Sequence, residues 1–250
     1  MRTLGKAHDR ETEVSSLLCA LFFGKQAQRL AAAETLKALG PEARAALPTL
    51  VKAVGNPRPD VHKAAIEILG SLGAHAAPAV PALTALLAST DPEVRRAATE
   101  ALIQIGEPAV TALAETLCDA EPFKRWQAVE ALRRLGPRSQ AAAFALIQSL
   151  NKAIAAEAMA ALLAIGPRAA RALMEALRSE NATIRTRVAE TLGRMGADAR
   201  EAAGPLREAL HDPEAFVRAA ARKALGRIWV RSRQGTIRRS SESSPASQGK

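Results

Sequence analysis

Seven leucines, Leu36, Leu69, Leu102, Leu132, Leu162, Leu192 and Leu225, recur at intervals of 33, 33, 30, 30, 30 and 33 residues, each in the last turn of a similar apolar pattern. A fixed period of this size marks a repeat architecture, in which a unit too small to bury its own apolar face is stabilised by stacking on its neighbours. Such a chain grows by adding like units, so its function is expected on extended surfaces rather than in a closed pocket. Apolar residues make up 48% of the sequence, but aromatics only 3%, and Tyr is absent. The core must then be built from Ala and Leu, which suits thin helices that approach one another closely and argues against a sheet.

The third repeat shows the helix boundaries most clearly, reading DPEVRRAATEALIQIG and then EPAVTALAETLCDA. Asp91 is placed to cap a helix, Pro92 sits at its first position, where no amide is needed, and Gly106 ends it. A second helix is predicted from Pro108 to near Cys118. When the repeats are aligned on their leucines, Gly40, Gly73, Gly106, Gly136, Gly166 and Gly196 share the stop position, and Trp229 occupies it in the seventh. A small column, Ala32, Ala65, Ala98, Ala128, Ala158, Val188 and Ala221, permits close approach, and Val94, Ala98, Ala101, Leu102 and Ile105 form the core stripe. Helical spacing of Val14, Leu17, Leu18, Leu21 and Phe22 predicts a capping helix over 11–23, while Phe216, Ile228 and Trp229 are expected to cover the far edge.

These columns resemble the HEAT repeat, in particular the short variety named after the phycobilisome (bilin) lyases, with its pattern close to D-P-x-V-R-x-x-A-x-x-A-L-x-x-I-G. The resemblance extends over about residues 25–229. It implies an all-α fold, an α-solenoid or superhelix of about seven two-helix HEAT-like repeats with a helical N-terminal cap. Repeats of this kind serve scaffolds, chaperone-like subunits, lyases and a metal-dependent hydroxylase alike, so the fold alone does not select a role. The division expected is a polar segment and capping helix over 1–24, a solenoid over 25–230 and a disordered basic Ser/Arg-rich tail over 231–250.

The formal charge of +10 invites a nucleic-acid reading, but much of it lies in the tail, where Arg231, Arg233, Arg238, Arg239 and Lys250 face only Glu242. A basic column, Arg29, His62, Arg95, Arg125, Arg185 and Arg218, broken by Ala155, offers evenly spaced cations. The HEAT resemblance implies that these arginines instead form a ladder with acidic or amide residues between neighbours, for which Asp91, Glu121, Asn151 and Asn181 are the candidates. Second helices present mixed charges, with a local cluster of Arg168, Arg171, Glu175 and Arg178 in the fifth repeat. On the opposite face Trp126, Val129, Met159 and Leu163 are expected to lie together as an exposed apolar patch of the kind that docks a partner.

Enzymatic patterns are sparse. The related hydroxylase holds iron through His-Glu dipeptides, and the four histidines here precede Asp9, Lys63, Ala76 and Asp212, so no such pair exists. GxSxG, P-loop and GxGxxG motifs are absent, and a base-extruding role for Trp126 with Asp119 or Glu121 matches no motif. Cys19 and Cys118 form neither a CxxC nor a disulfide framework. The functional expectation is a non-enzymatic scaffold or adaptor for one or more proteins, without catalytic residues, cofactor or metal. It is expected to be cytoplasmic and without a membrane span. A bilin-lyase-like assembly subunit and a nucleic-acid-binding protein driven by basic charge are the alternatives.

Overall fold

A computed structural model describes residues 2–242, with side chains described from Arg10 to Trp229. The described residues form helices and the turns between them, with no strand. They divide into two compact units, 1–142 and 143–250. In the first unit the helices are α1 (Arg2–Phe23), α2 (Gln26–Leu39), α3 (Leu47–Ala53), α4 (Pro59–Ser71), α5 (Val80–Ala85), α6 (Pro92–Ile105), α7 (Glu107–Thr116) and α8 (Pro122–Leu135). In the second they are α9 (Ala143–Gln148), α10 (Ala155–Ile165), α11 (Ala170–Ala176), α12 (Ala182–Met195), α13 (Ala203–Glu208) and α14 (Ala215–Glu242).

Within each unit the helices stack in chain order as an α-solenoid. The first helices of successive repeats pack side by side, α2 on α4, α4 on α6 and α6 on α8 in one unit, α10 on α12 and α12 on α14 in the other. Second helices lie against them, as α5 does on α6 and α11 on α12. Leu36, Leu69, Leu102, Leu132, Leu162 and Leu192 are completely buried, each contributing on the order of 2 kcal/mol of apolar burial. Ala98, Ala101 and Ile105 of the expected stripe are buried as well, while Val94 is half-buried. Helix α1 packs on α2 through the buried Val14 and Leu21.

The stop column works through its backbone. All six of its glycines have positive φ, for example +50° at Gly40 and +83° at Gly106, a conformation that a residue with a Cβ adopts only at a cost. The chain reverses there, and in most repeats the second helix opens with a tight 3₁₀ turn such as Gly40–Ala46 or Gly196–Ala202 before it becomes α-helical. The seventh repeat lacks this reversal because Trp229 stands where the others have glycine. Helix α14 accordingly runs on without a break to Glu242, so it has no second helix among the described residues, and Leu225 is only half-buried. The tail expected from 231 onwards therefore begins as a continuation of α14, and residues 243–250 lie outside the described residues. Of the three residues expected to cover the far edge, Ile228 is buried but Phe216 and Trp229 are exposed.

Neighbouring first helices come closest where glycine replaces a side chain. A Cβ built on Gly193 would lie 2.8 Å from the Cα of Ala224 in α14, and one on Gly70 would lie 3.0 Å from the Cα of Ala101 in α6. The obstacle is backbone, which cannot swing aside. Gly193→Ala is therefore expected to destabilise the protein by about 1–3 kcal/mol through overpacking. Gly226→Ala in α14, where an added Cβ meets nothing within 4 Å, should stabilise it by up to about 1 kcal/mol through helix propensity. Thermal unfolding followed by far-ultraviolet circular dichroism separates the two, and shifts of the same sign would contradict the packing described.

Candidate interaction surfaces

The basic column turns inward on its own chain. Arg95 donates from Nη1 to the carbonyls of Ser89 (2.6 Å) and Thr90 (3.0 Å), Arg125 to Asp119 (2.8 Å) and Ala120 (2.9 Å), Arg185 to Ser179 (2.8 Å) and Glu180 (3.1 Å), and Arg218 to Asp212 and Pro213 (both 2.7 Å). Each guanidinium thus satisfies carbonyls of the turn that leads into its own helix. Two of the four acceptors expected for a ladder do other work: Asp91 caps α6 by accepting from the Glu93 amide, and Asn181 caps α12 by accepting from Thr183 and Ile184.

Ion pairing between repeats comes from different acids. Arg29 donates from Nε to Asp60 at 2.6 Å, and Arg185 grips Asp212 with two bonds of 2.8 and 2.9 Å. The hydrogen bond from Arg185 holds the Asp212 carboxyl below the usual carboxylate range, although its partial burial pulls the other way, and the bond from Arg29 does the same for Asp60. In the third repeat the rung is lost. Asp119 is held first by the Glu121 amide and then by Lys124, and Arg95 lies instead over the ring of Phe123, 4.9 Å from its centroid, with its buried Nε lacking a hydrogen-bond partner. This column is structural and carries no free phosphate-binding row.

The apolar patch expected from Trp126, Val129, Met159 and Leu163 is not exposed as a set. Trp126 is exposed and Leu163 half-buried, but Val129 and Met159 are buried at 1% and 6%. Their column explains the difference, since Ala33, Ile66, Thr99 and Ala189 at the equivalent position are all buried too. A helical wheel shows one packing face, whereas a helix inside a stack also buries its flanks against the preceding and following repeats. Met159 is held further by Arg194, whose Nη1 approaches its sulfur at 3.0 Å.

The charged cluster does lie at the surface. Arg168, Arg171, Glu175 and Arg178 are exposed along α11 and its two ends, with Arg171 paired to Glu175 at 3.3 Å and Arg178 reaching Glu208 of the next repeat at 3.5 Å. Pairs this exposed add little stability.

Apart from Trp126, which was expected at the surface, the placement of the aromatics is what the sequence reading missed. Phe23, Phe123, Trp126, Phe144, Phe216 and Trp229 are all exposed, and Phe22 is only half-buried. On α8, Phe123 and Trp126 stand one turn apart on the same face, and they are 59% and 45% exposed. The available signal was the alignment, because Phe123 stands in the column that holds Asp60 and Glu93 in other repeats, a position that faces water.

Among the described residues no three His, Cys, Asp or Glu side chains converge as a metal site, and no helix is long and apolar enough to cross a membrane. The fold and its surfaces define an all-helical repeat protein whose distinctive features lie on helix faces. Its sequence matches the model of the HEAT repeats over residues 15–102, 80–152 and 139–226. The chain belongs to the HEAT-repeat family. Among solved structures, an engineered protein is 21% identical, with a TM-score of 0.41, over 87% of this chain and 97% of its own. Importin beta, crystallised in an ammonium sulfate condition, is 16% identical, with a TM-score of 0.45, over 86% of this chain and 35% of its own. No characterised protein matches in a search by sequence.

The Arg185–Asp212 pair yields a pH dependence. A carboxyl whose folded pKa lies below its unfolded value near 4 stabilises the fold at pH above that unfolded value, and the contribution fades as pH falls through the folded pKa. Asp212→Asn retains an oxygen to accept from the Glu214 amide but loses the charge, and should cost about 1–3 kcal/mol at pH 7. That difference should persist down to about pH 5 and shrink progressively below about pH 4, as chemical denaturation at several pH values will show. A difference that grows on acidification would refute the assignment.

Proposed function

We propose that this protein is a non-enzymatic scaffold that binds other proteins across several repeats. What carries the reading is the exposed aromatic pair Phe123 and Trp126 on α8. Trp and Arg are the residues most often responsible for binding energy at protein interfaces, and a large aromatic left in water on a helix face is costly unless something covers it. The exposed Arg168, Arg171, Glu175 and Arg178 supply charged selectors, which set partner choice and encounter rate more than affinity. Binding through a row of such features needs no pocket, as is general for solenoids. Cys19 and Cys118 are exposed and not disulfide-bonded, which suits a reducing compartment such as the cytoplasm.

A second reading within the same fold is an assembly subunit similar to the bilin lyases, favoured by the resemblance of residues 91–106 to the short lyase-type repeat. Pigment or a pigment-bearing polypeptide retained through purification would support it over the general scaffold.

The test of the scaffold reading is affinity capture compared across variants. Trp126→Ala should change stability by less than about 0.5 kcal/mol, as is usual for surface positions, and Phe123→Ala by up to about 1 kcal/mol because it also removes the ring that Arg95 lies over; each should weaken a captured partner at least about tenfold, or about 1.4 kcal/mol. The charge reversals Arg171→Glu and Arg178→Glu should lower the association rate and its salt dependence. A partner set identical for wild type and all four variants would remove both surfaces from consideration.

A further inference from the structure

The grooves between successive first helices carry a column of glutamates two residues before each leucine: Glu34, Glu67, Glu100, Glu130 and Glu190. Two repeats break it, with Ala160 in the fifth and Lys223 in the seventh. In the first unit every one of these glutamates neutralises a neighbouring cation. Lys37 bridges Glu34 and Glu67 at 3.0 Å each, Arg134 meets Glu100 at 2.8 Å and Arg133 meets Glu130 at 2.7 Å.

The groove between α12 and α14 follows the same geometry with the opposite charge. It encloses about 110 Å3 over a floor of Gly193 and Ala224, and Arg194, Lys223 and Arg227 stand around it with Glu190 as the one carboxylate. Arg194 occupies the position of Arg134, but the glutamate that Arg134 uses in the preceding repeat is replaced by Ala160, and Arg194 rests on the Met159 sulfur. Lys223 takes the place of a glutamate outright. Lys223 and Arg227 are exposed and make no ion pair among the described residues.

The cationic row does not end at the groove. Between Ala215 and Trp229 the sequence contains no carboxylate, and residues 230–250 add Arg231, Arg233, Arg238, Arg239 and Lys250 against Glu242 alone.

We propose that the α12–α14 groove and the basic row of α14 bind the phosphodiester backbone of nucleic acid without reading its sequence. A lone phosphate would need only the three groove cations, whereas a groove followed in sequence by five further cations against one carboxylate matches a polymer of phosphates. A lipid surface is a poorer fit, since the sequence of residues 230–250 holds only two large apolar residues, Val230 and Ile237.

The column itself supplies the test. Ala160→Glu combined with Lys223→Glu restores the residue found at this position in the other repeats, so the fold should be retained, as circular dichroism will confirm. The full-length protein should bind a fluorescent 20-base-pair duplex or the matching single strand, measured by anisotropy between 50 and 200 mM salt. The double variant should bind at least about tenfold more weakly at 100 mM salt, with its logarithmic salt dependence reduced by about two or more, corresponding to the phosphates no longer neutralised. Should the double variant fold poorly, Arg194→Gln with Arg227→Gln removes two exposed cations and should lower the slope by about two. Absence of wild-type binding at 50 mM salt, or equal affinity and slope in wild type and folded variants, would overturn the proposal. So would binding of a phosphoserine peptide or of anionic vesicles by a wild-type protein that leaves the oligonucleotides unbound.

Discussion

How near one first helix can come to the next governs most of what is seen in this molecule. At Gly193 and Gly70 the following helix leaves no room for even a methyl group, and the small column around Ala98, Ala158 and Ala221 keeps the remaining contacts thin. Close approach lets leucine and alanine fill a core to normal density without large side chains. It also leaves no interior space for an aromatic ring, and the rings of this protein accordingly stand at the surface. The exclusion of bulk from the seam and its appearance on the outer faces are two sides of one packing constraint.

The arginine column serves a related need. Helices this short have many unsatisfied carbonyls and amides at their ends relative to their length, and stacking crowds those ends together. In five of the seven repeats a guanidinium donating into the turn before its helix supplies a fixed partner for those carbonyls, while Asp91 and Asn181 supply acceptors for the amides. Only after this local satisfaction do spare nitrogens reach across to Asp60 or Asp212. Repeats with an ordinary column residue are thus electrically quiet, and departures such as Ala160, Lys223 and Phe123 stand out as positions where that balance was not maintained.

Much of this was legible in the residues. The period of the leucines, the glycine stops and the Asp91–Pro92 helix start each rest on local backbone chemistry, which a single repeat displays in full. The placement of Val129 and Met159 was not legible from one helix, because their burial is imposed laterally by neighbouring repeats and a wheel drawn for an isolated helix has no such neighbours. The partners of the arginines were misjudged for a similar reason: Asp212 lies in the turn before its own helix rather than at the start of the helix of Arg185, and only the stacking brings the two together. Arg168, Arg171, Glu175 and Arg178 were legible as surface residues because charge on the outer side of a second helix has nowhere else to go.

The outward position of the two indoles sets what light can report about this protein. Trp126 and Trp229 are 45% and 54% exposed, and without tyrosine they dominate the intrinsic emission. Because both rings already meet water in the folded chain, unfolding will change their surroundings little. A molecule settling on α8 or along α14 will change them a great deal. The native fluorescence is therefore an insensitive gauge of the core and a direct, label-free gauge of surface occupancy, with one indole in each unit.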